Sequence, residues 1–462
     1  MIPPKLALYL AWALALFLLW RDTKRRPDIS LALWVPVLWI MRCGSRGVDY
    51  WLNGDDVGRL DPVVIAILIA CGLVILLRRP CDWGAIVANN SMLFLFYAYL
   101  MASTLWVDEI ENPLIKIFRP MGDLLMALIV ATEINLREAI ATLFRRCAYL
   151  LIPMSVVLVR YFHEMGTLQD KHWGSDIWCG VTTHKNPLGQ LCIISTFAFF
   201  WQLVEARAAG KRLLRQYIPW FYLAMTVYLF NGGGNSNSRS STAFICLAVG
   251  MASYLVLGRY RNRSELVVRS IVVSVVIIAA ISVALELFGT SLQAMVAATQ
   301  GKDPTLTDRT YLWRDVVRIG MQHPVLGSGY GGFWVPSLYS QLSPEVDNGP
   351  KEAHNGYLET FANLGLVGVA LLACVIFQAL RNATKTMQTD FEYGRLRLAL
   401  LFMVLVMNYS EATFTVGNHL WWFGFLVIAV YARPWVAWPE ISPSNVDEQR
   451  DDIHHKQEPI LA

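Results

Sequence analysis

The sequence predicts an all-α polytopic membrane protein of about twelve or thirteen transmembrane helices, and three observations carry that prediction. The 462-residue chain is 55% hydrophobic and 16% charged, with a mean hydropathy of +0.42, where a soluble chain would be about a quarter charged. Apolar runs of roughly 15 to 21 residues recur along nearly the whole length, enough to cross a bilayer, the shorter ones with some stretching or thinning. Lysine and arginine gather in alternate loops, as the positive-inside bias requires. A lipid-facing β-barrel is excluded because its alternating strands of about ten residues are absent.

In chain order the candidate spans are 6–20, 29–41, 62–77, 84–105, 120–135, 147–159, 187–204, 217–230, 241–257, 268–288, 356–380, 396–413 and 419–438. The first, Leu6 to Trp20, has no A-x-A site after it and is read as a span rather than a cleaved leader. The basic loops 21–28, 78–80, 143–147 (LFRRC), 205–216, 258–269 and 381–397 fall on one side and are predicted to be cytoplasmic. The N-terminus and the long segment 289–355 are then external. The chain divides into residues 1–288 (about ten spans), the external segment 289–355, a second membrane unit 356–438, and a polar cytoplasmic tail 439–462 that reads as disordered. Within the external segment, Ser291–Gln300 and Asp308–Met321 read as short amphipathic helices. The second has Leu312, Trp313, Val316 and Val317 on one face and Pro324 as its stop. GSGYGGFW (327–334) reads as a flexible turn or lid. The eight cysteines are scattered singly, with neither CxxC nor zinc spacing, so a disulfide framework is not expected.

Four polar islands interrupt the apolar pattern on the external side. In THKNPLG (183–189), His184, Lys185 and Asn186 precede Pro187, which suits the first turn of a helix. Lys and His at span ends are also ordinary interfacial anchors. In NGGGNSNSRSS (231–241) a glycine-rich loop leads to Arg239 at a span entrance, a donor-rich pattern suited to an anion, though it lacks the GK[ST] of a P-loop. In DRTYLWRDVVR (308–318) Arg309 stands in the first helical turn, where the helix dipole mildly disfavours a cation, a hint that it reaches for an anion. Arg314 and Arg318 read as a solvated face. In KEAHNGYLETFANLGLVG (351–368) His354 and Asn355 stand at the mouth of an apolar helix read as unbroken, and Gly365 and Gly368 would let a neighbouring helix approach. An imidazole with an ordinary pKa near 6.5 could take a proton from a hydroxyl there, or simply anchor the helix. Asp55-Asp56 and Asp108-Glu109-Ile110-Glu111 are candidate cation ligands, but solvated acids are ordinary at span ends, and no metal is required by this reading.

Taken in order, these islands resemble the O-antigen ligase and polysaccharide polymerase (Wzy-type) superfamily of bacterial inner membranes. Its signature is a His, then Asn, Ser or Gln, nine residues, a Gly, two residues and a small residue, met by His354, Asn355, Gly365 and Gly368. HKNPLGQL (184–191), SRSS (238–241), TLTDRTYLW (305–313) and HPVLGSGYGGFW (323–334) also match, with Asp308 where the family often has Gly. GSRGVDYWL (44–52) and GYGGFW look most like the exopolysaccharide-polymerase branch. The resemblance implies a GT-C-like membrane glycosyltransferase whose donor glycan rides on undecaprenyl pyrophosphate and whose acceptor is another glycan or, for a ligase, lipid A core. It implies His354 as base, Arg239 and Arg309 on the pyrophosphate with His184 and Lys185 assisting, and Asn355, Asn186, Trp313, Tyr357, Gly365 and Gly368 in support. No cofactor, metal or nucleic acid is implied. Flippase and chain-length regulator proteins are the implied partners, and the site would face the periplasm. The main rival is a carrier of lipid-linked sugars, which would place charge at midspan. Asp123 is the one such residue.

Overall fold

The computed structural model describes residues 3–26, 28–54, 58–107, 113–169, 176–234, 238–263, 266, 268–269, 309–344, 346, 350–414 and 419–431. All but the first two residues of the span at 268–288, the helix at Ser291–Gln300, the carboxylates of Asp55-Asp56 and Asp108–Glu111, and the tail lie outside the described residues. Each of the other twelve predicted spans has a helix over it. Six described helices are long and apolar enough to cross a membrane, or seven if one bent pair counts as a span. The chain is an all-α polytopic membrane protein, with one two-stranded antiparallel ribbon among the described residues, Thr167–Gln169 with Asp176–Trp178.

Burial sorts the helices into centre and rim. The apolar windows of Leu136–Tyr161 and Lys185–Ala208 are 89% and 72% buried, against 33%, 28% and 33% for Pro4–Arg25, Leu60–Arg78 and Ser241–Arg259. The rim helices expose Leu10, Phe17, Leu73, Leu77, Phe244 and Leu255, an arrangement stable only where lipid covers it. Leu136–Tyr161 packs on both Pro4–Arg25 and Lys185–Ala208. Gly356–Thr389 packs on Phe391–Ser410, on Ser91–Ser103 and on the short helix Arg309–Gly320, which brings the described part of segment 289–355 onto the bundle.

Several boundaries differ from expectation. LFRRC is not a loop: Leu136–Tyr161 is helical throughout, because Asp22 accepts from Arg145 Nε (2.9 Å) and Arg146 Nε (2.7 Å) and so lets both arginines be buried. The predicted span 84–105 is broken, with Trp83–Asn89 and Ser91–Trp106 meeting at 85°. The side chain of Asn90 mends the bend by donating to Ile86 O and Tyr431 O (both 2.8 Å) while accepting from Tyr431 N (2.9 Å). The helix after His354 also breaks, at Gly365 (φ 63°, ψ −165°). The neighbour there is a loop and not a helix, since Leu366 N donates to Pro324 O and Val367 N to Val325 O. A Cβ at residue 365 would lie 2.3 Å from Val325 O, so only glycine fits. At Gly368 an added Cβ would meet the side chain of Leu364, on the other side of that break. On Arg309–Gly320 the buried face is Leu312, Trp313, Val316 and Ile319, with Val317 turned outward.

Candidate active site

The site is built at the mouth of Gly356–Thr389. Asn355 caps this helix, its side chain accepting from Tyr357 N (3.0 Å) and Leu358 N (3.2 Å), so two otherwise unpaired amides of the first turn are satisfied. Gly356 is small because the side chain of Asn408 lies where its Cβ would be. His354, immediately before the cap, has φ 48° and is the one non-glycine with positive φ among the described residues. A left-handed conformation costs a side-chain-bearing residue roughly 1–2 kcal/mol, so the surroundings must hold it there.

His354 faces carboxylates. Its Nδ1 lies 3.0 Å from Glu352 Oε1 and 3.9 Å from Glu411 Oε2, as ion-pair contacts rather than aligned hydrogen bonds. Burial alone would push the imidazole pKa down. Contact with Glu352, and then with Glu411, outweighs burial and raises it to about 9, against the opposing charge of Arg309.

Glu411 is the hub. It follows the helix Phe391–Ser410, and its turn is fixed by Asn408, whose side chain accepts from Thr413 N and Phe414 N. Its buried Oε1 accepts from Asn186 Nδ2 (2.6 Å) and from Arg309 Nη2 (3.2 Å), while Arg309 Nη1 also donates to Ser410 O. The Glu411 side chain is buried, with the Arg309 guanidinium and the His354 imidazole beside it. A buried carboxylate is thus shared by a guanidinium, an imidazole and an amide brought from three separate stretches of chain. Glu352, His354 and Glu411 offer ligand atoms within 4.8 Å of one another, close enough to hold a cation, although Arg309 already engages Glu411.

Of the residues singled out in the sequence, His354, Arg309 and Asn186 converge here. His184 and Lys185 stand beside Asn186 at the start of Lys185–Ala208. Trp313 supports the turn, its Nε1 donating to Ala353 O at 2.8 Å. Tyr357 packs on Phe414 and donates to Leu405 O. Arg239 is not drawn into the cluster; its exposed guanidinium donates to Asn231 O (3.1 Å) and Asn231 Oδ1 (2.9 Å) on its own loop. The helix it precedes touches the cluster's neighbourhood through Ser410 Oγ, which donates to Thr242 Oγ1. Glu352, Glu359 and Glu411 were not singled out. Glu359 and Glu411 fall inside runs read as spans (356–380 and 396–413), where an ionisable side chain is itself a signal of function.

Residues 224–373 match the family described as O-antigen ligase. The chain resembles that superfamily. It is also 24% identical, over 326 residues covering 67% of this chain and 69% of that protein, to the exopolysaccharide production protein ExoQ of Rhizobium meliloti (strain 1021). Together these support a membrane enzyme of the O-antigen ligase or polymerase type. The O-antigen ligase match contains Arg239, Arg309 and His354, while Asn186 and Glu411 come from outside it.

Proposed function

We propose that this chain is a glycosyltransferase that moves glycan from a polyprenyl-pyrophosphate donor to a sugar hydroxyl, polymerising repeat units of an exopolysaccharide or O-antigen. The convergence of Arg309, His354 and Asn186 on Glu411 carries the reading. It sets a cation for a phosphate beside an imidazole whose Nδ1 is turned toward carboxylates, an orientation that leaves Nε2 as the proton acceptor. The acceptor O–H attacks C1 of the donor sugar and gives its proton to His354 Nε2. The C1–O bond to pyrophosphate breaks as the new glycosidic bond forms on the opposite face, which inverts C1. Arg309, with Arg239 from the adjoining loop, takes the charge gathering on the leaving pyrophosphate, while His184 and Lys185 help hold the donor. No metal is needed where guanidinium groups supply the positive charge. The bundle would lie in a bacterial inner membrane with 289–355 and the site on the periplasmic side, supplied by a flippase and working beside a chain-length regulator.

His354→Ala should abolish chain growth while leaving the amount of membrane-inserted protein unchanged. Undiminished polymer in that variant would overturn the assignment. The family match favours one second reading, a ligase that passes the glycan to lipid A core. Purified protein given a lipid-linked repeat unit, with and without lipid A core, separates the two. A ladder from the repeat unit alone means polymerase, and a single addition that needs the core means ligase.

A further inference from the structure

His354 is held in its left-handed conformation by what fixes its two neighbours. On one side, Asn355 is committed to capping the helix. On the other, Ala353 is fully buried and tied at both ends of its peptide: its carbonyl accepts from Trp313 Nε1, and its N–H donates to Glu359 Oε2 at 2.8 Å. Glu359 itself is buried in the first turn of the following helix. Its other oxygen, Oε1, accepts from Trp334 Nε1 (2.8 Å) and Asn363 Nδ2 (2.9 Å). Every group facing this carboxylate is a donor, so an acceptor-only side chain is required and an amide would set N–H against N–H. Trp334 belongs to the 327–334 loop, and Asn363 Oδ1 accepts from Gly331 N of the same loop at 3.1 Å. The loop's start is tied as well, Ser328 N donating to Ala362 O.

We propose that Glu359 is a positioning residue for His354, fastening the 351–355 turn to the 327–334 loop so that the imidazole is presented to Glu411 and Arg309. Glu359 touches neither of those groups by any hydrogen bond or ion pair among the described residues and acts through the Ala353 peptide. The glycine-rich stretch is therefore part of the frame that aims the base. This role rests on the reading of His354 as the base.

The test uses the purified full chain with a lipid-linked repeat unit, following kcat, KM for the donor and the number of donor molecules bound per chain. Glu359→Gln should lower kcat about ten-fold or more, since misplacing a reacting group by about an ångström is that costly, with donor KM and stoichiometry unchanged. Trp334→Phe, which removes one donor, should lose less, about three-fold, and the double variant should be no slower than Glu359→Gln alone, because both act on one turn. If Glu359→Gln no longer binds donor, Trp334→Phe decides: a lower kcat at constant KM supports the role, and an unchanged kcat overturns it. A normal kcat in Glu359→Gln beside an inactive His354→Ala overturns the positioning role alone. A normal kcat in His354→Ala overturns the base assignment and the positioning role with it.

Discussion

Two clusters of buried charge invite comparison. Around Asp22, the Arg145 and Arg146 side chains are 2% exposed and each meets its own carboxylate oxygen. Around Glu411, the Arg309 side chain is 18% exposed and that of His354 38%, and both share one carboxylate with Asn186. The first cluster has its donors matched and its water excluded, which suits a fastening between the first helix and Leu136–Tyr161. The second leaves cationic surface open beside a buried acid, which suits a ligand that arrives and departs. Burial and partner count thus separate two arginine clusters that look alike as sequence.

Substitutions can break this contrast. The largest effect on turnover, after loss of His354 itself, is expected for Glu411→Ala, which strips Arg309, His354 and Asn186 of their common partner. A rate loss of roughly 100-fold with little change in melting temperature is expected in a turnover assay. Next comes Asp22→Asn, which leaves two guanidinium groups buried with less counter-charge. Breaking a buried pair costs about 3–5 kcal/mol, so thermal unfolding in detergent should show a clear drop while the surviving folded fraction keeps its rate per molecule. Equal turnover losses in the two variants would erase the distinction.

Glu352→Gln sharpens the contrast through pH. A base must be neutral, so with the His354 pKa raised to about 9 the rate should climb with pH toward that value. Without Glu352 the midpoint should fall toward the ordinary value near 6.5, and the ratio of rates at pH 9 and pH 7 should shrink. The same elevation stabilises the fold while the imidazole is protonated, a contribution that fades as pH rises through about 9. The smallest effect is expected for Arg314→Ala, an exposed arginine beside Tyr311, whose rate should stay within about two-fold of the parent.

Much of this was legible in the chain. Hydrophobic runs are long-range averages, so the helices under twelve of the predicted runs could be located without knowing any contact. His354 and Asn186 stood out as polar residues at the edge of an apolar run, and Arg309 as a cation in the first turn of a helix. Glu411 and Glu359 were hidden by the same averaging, one carboxylate being diluted in a run of leucines and valines. Nothing local in LFRRC says that Asp22, more than a hundred residues earlier, will neutralise its arginines. The helix break at Gly365 was missed for a related reason: a glycine in an apolar run signals a close approach, but only the fold says that a loop backbone makes it.

The bend at Asn90 has a consequence for the order in which the protein can be assembled. Its buried amide is completed by the backbone of Tyr431, 341 residues further along the chain. While the chain is being made, the early bent helix has to sit in the membrane with the amide's two bonds to Tyr431 unmade until the helix Leu420–Ala429 arrives. A chain ending before residue 431 would carry the whole cluster around Glu411 and still lack the latch that closes the bundle.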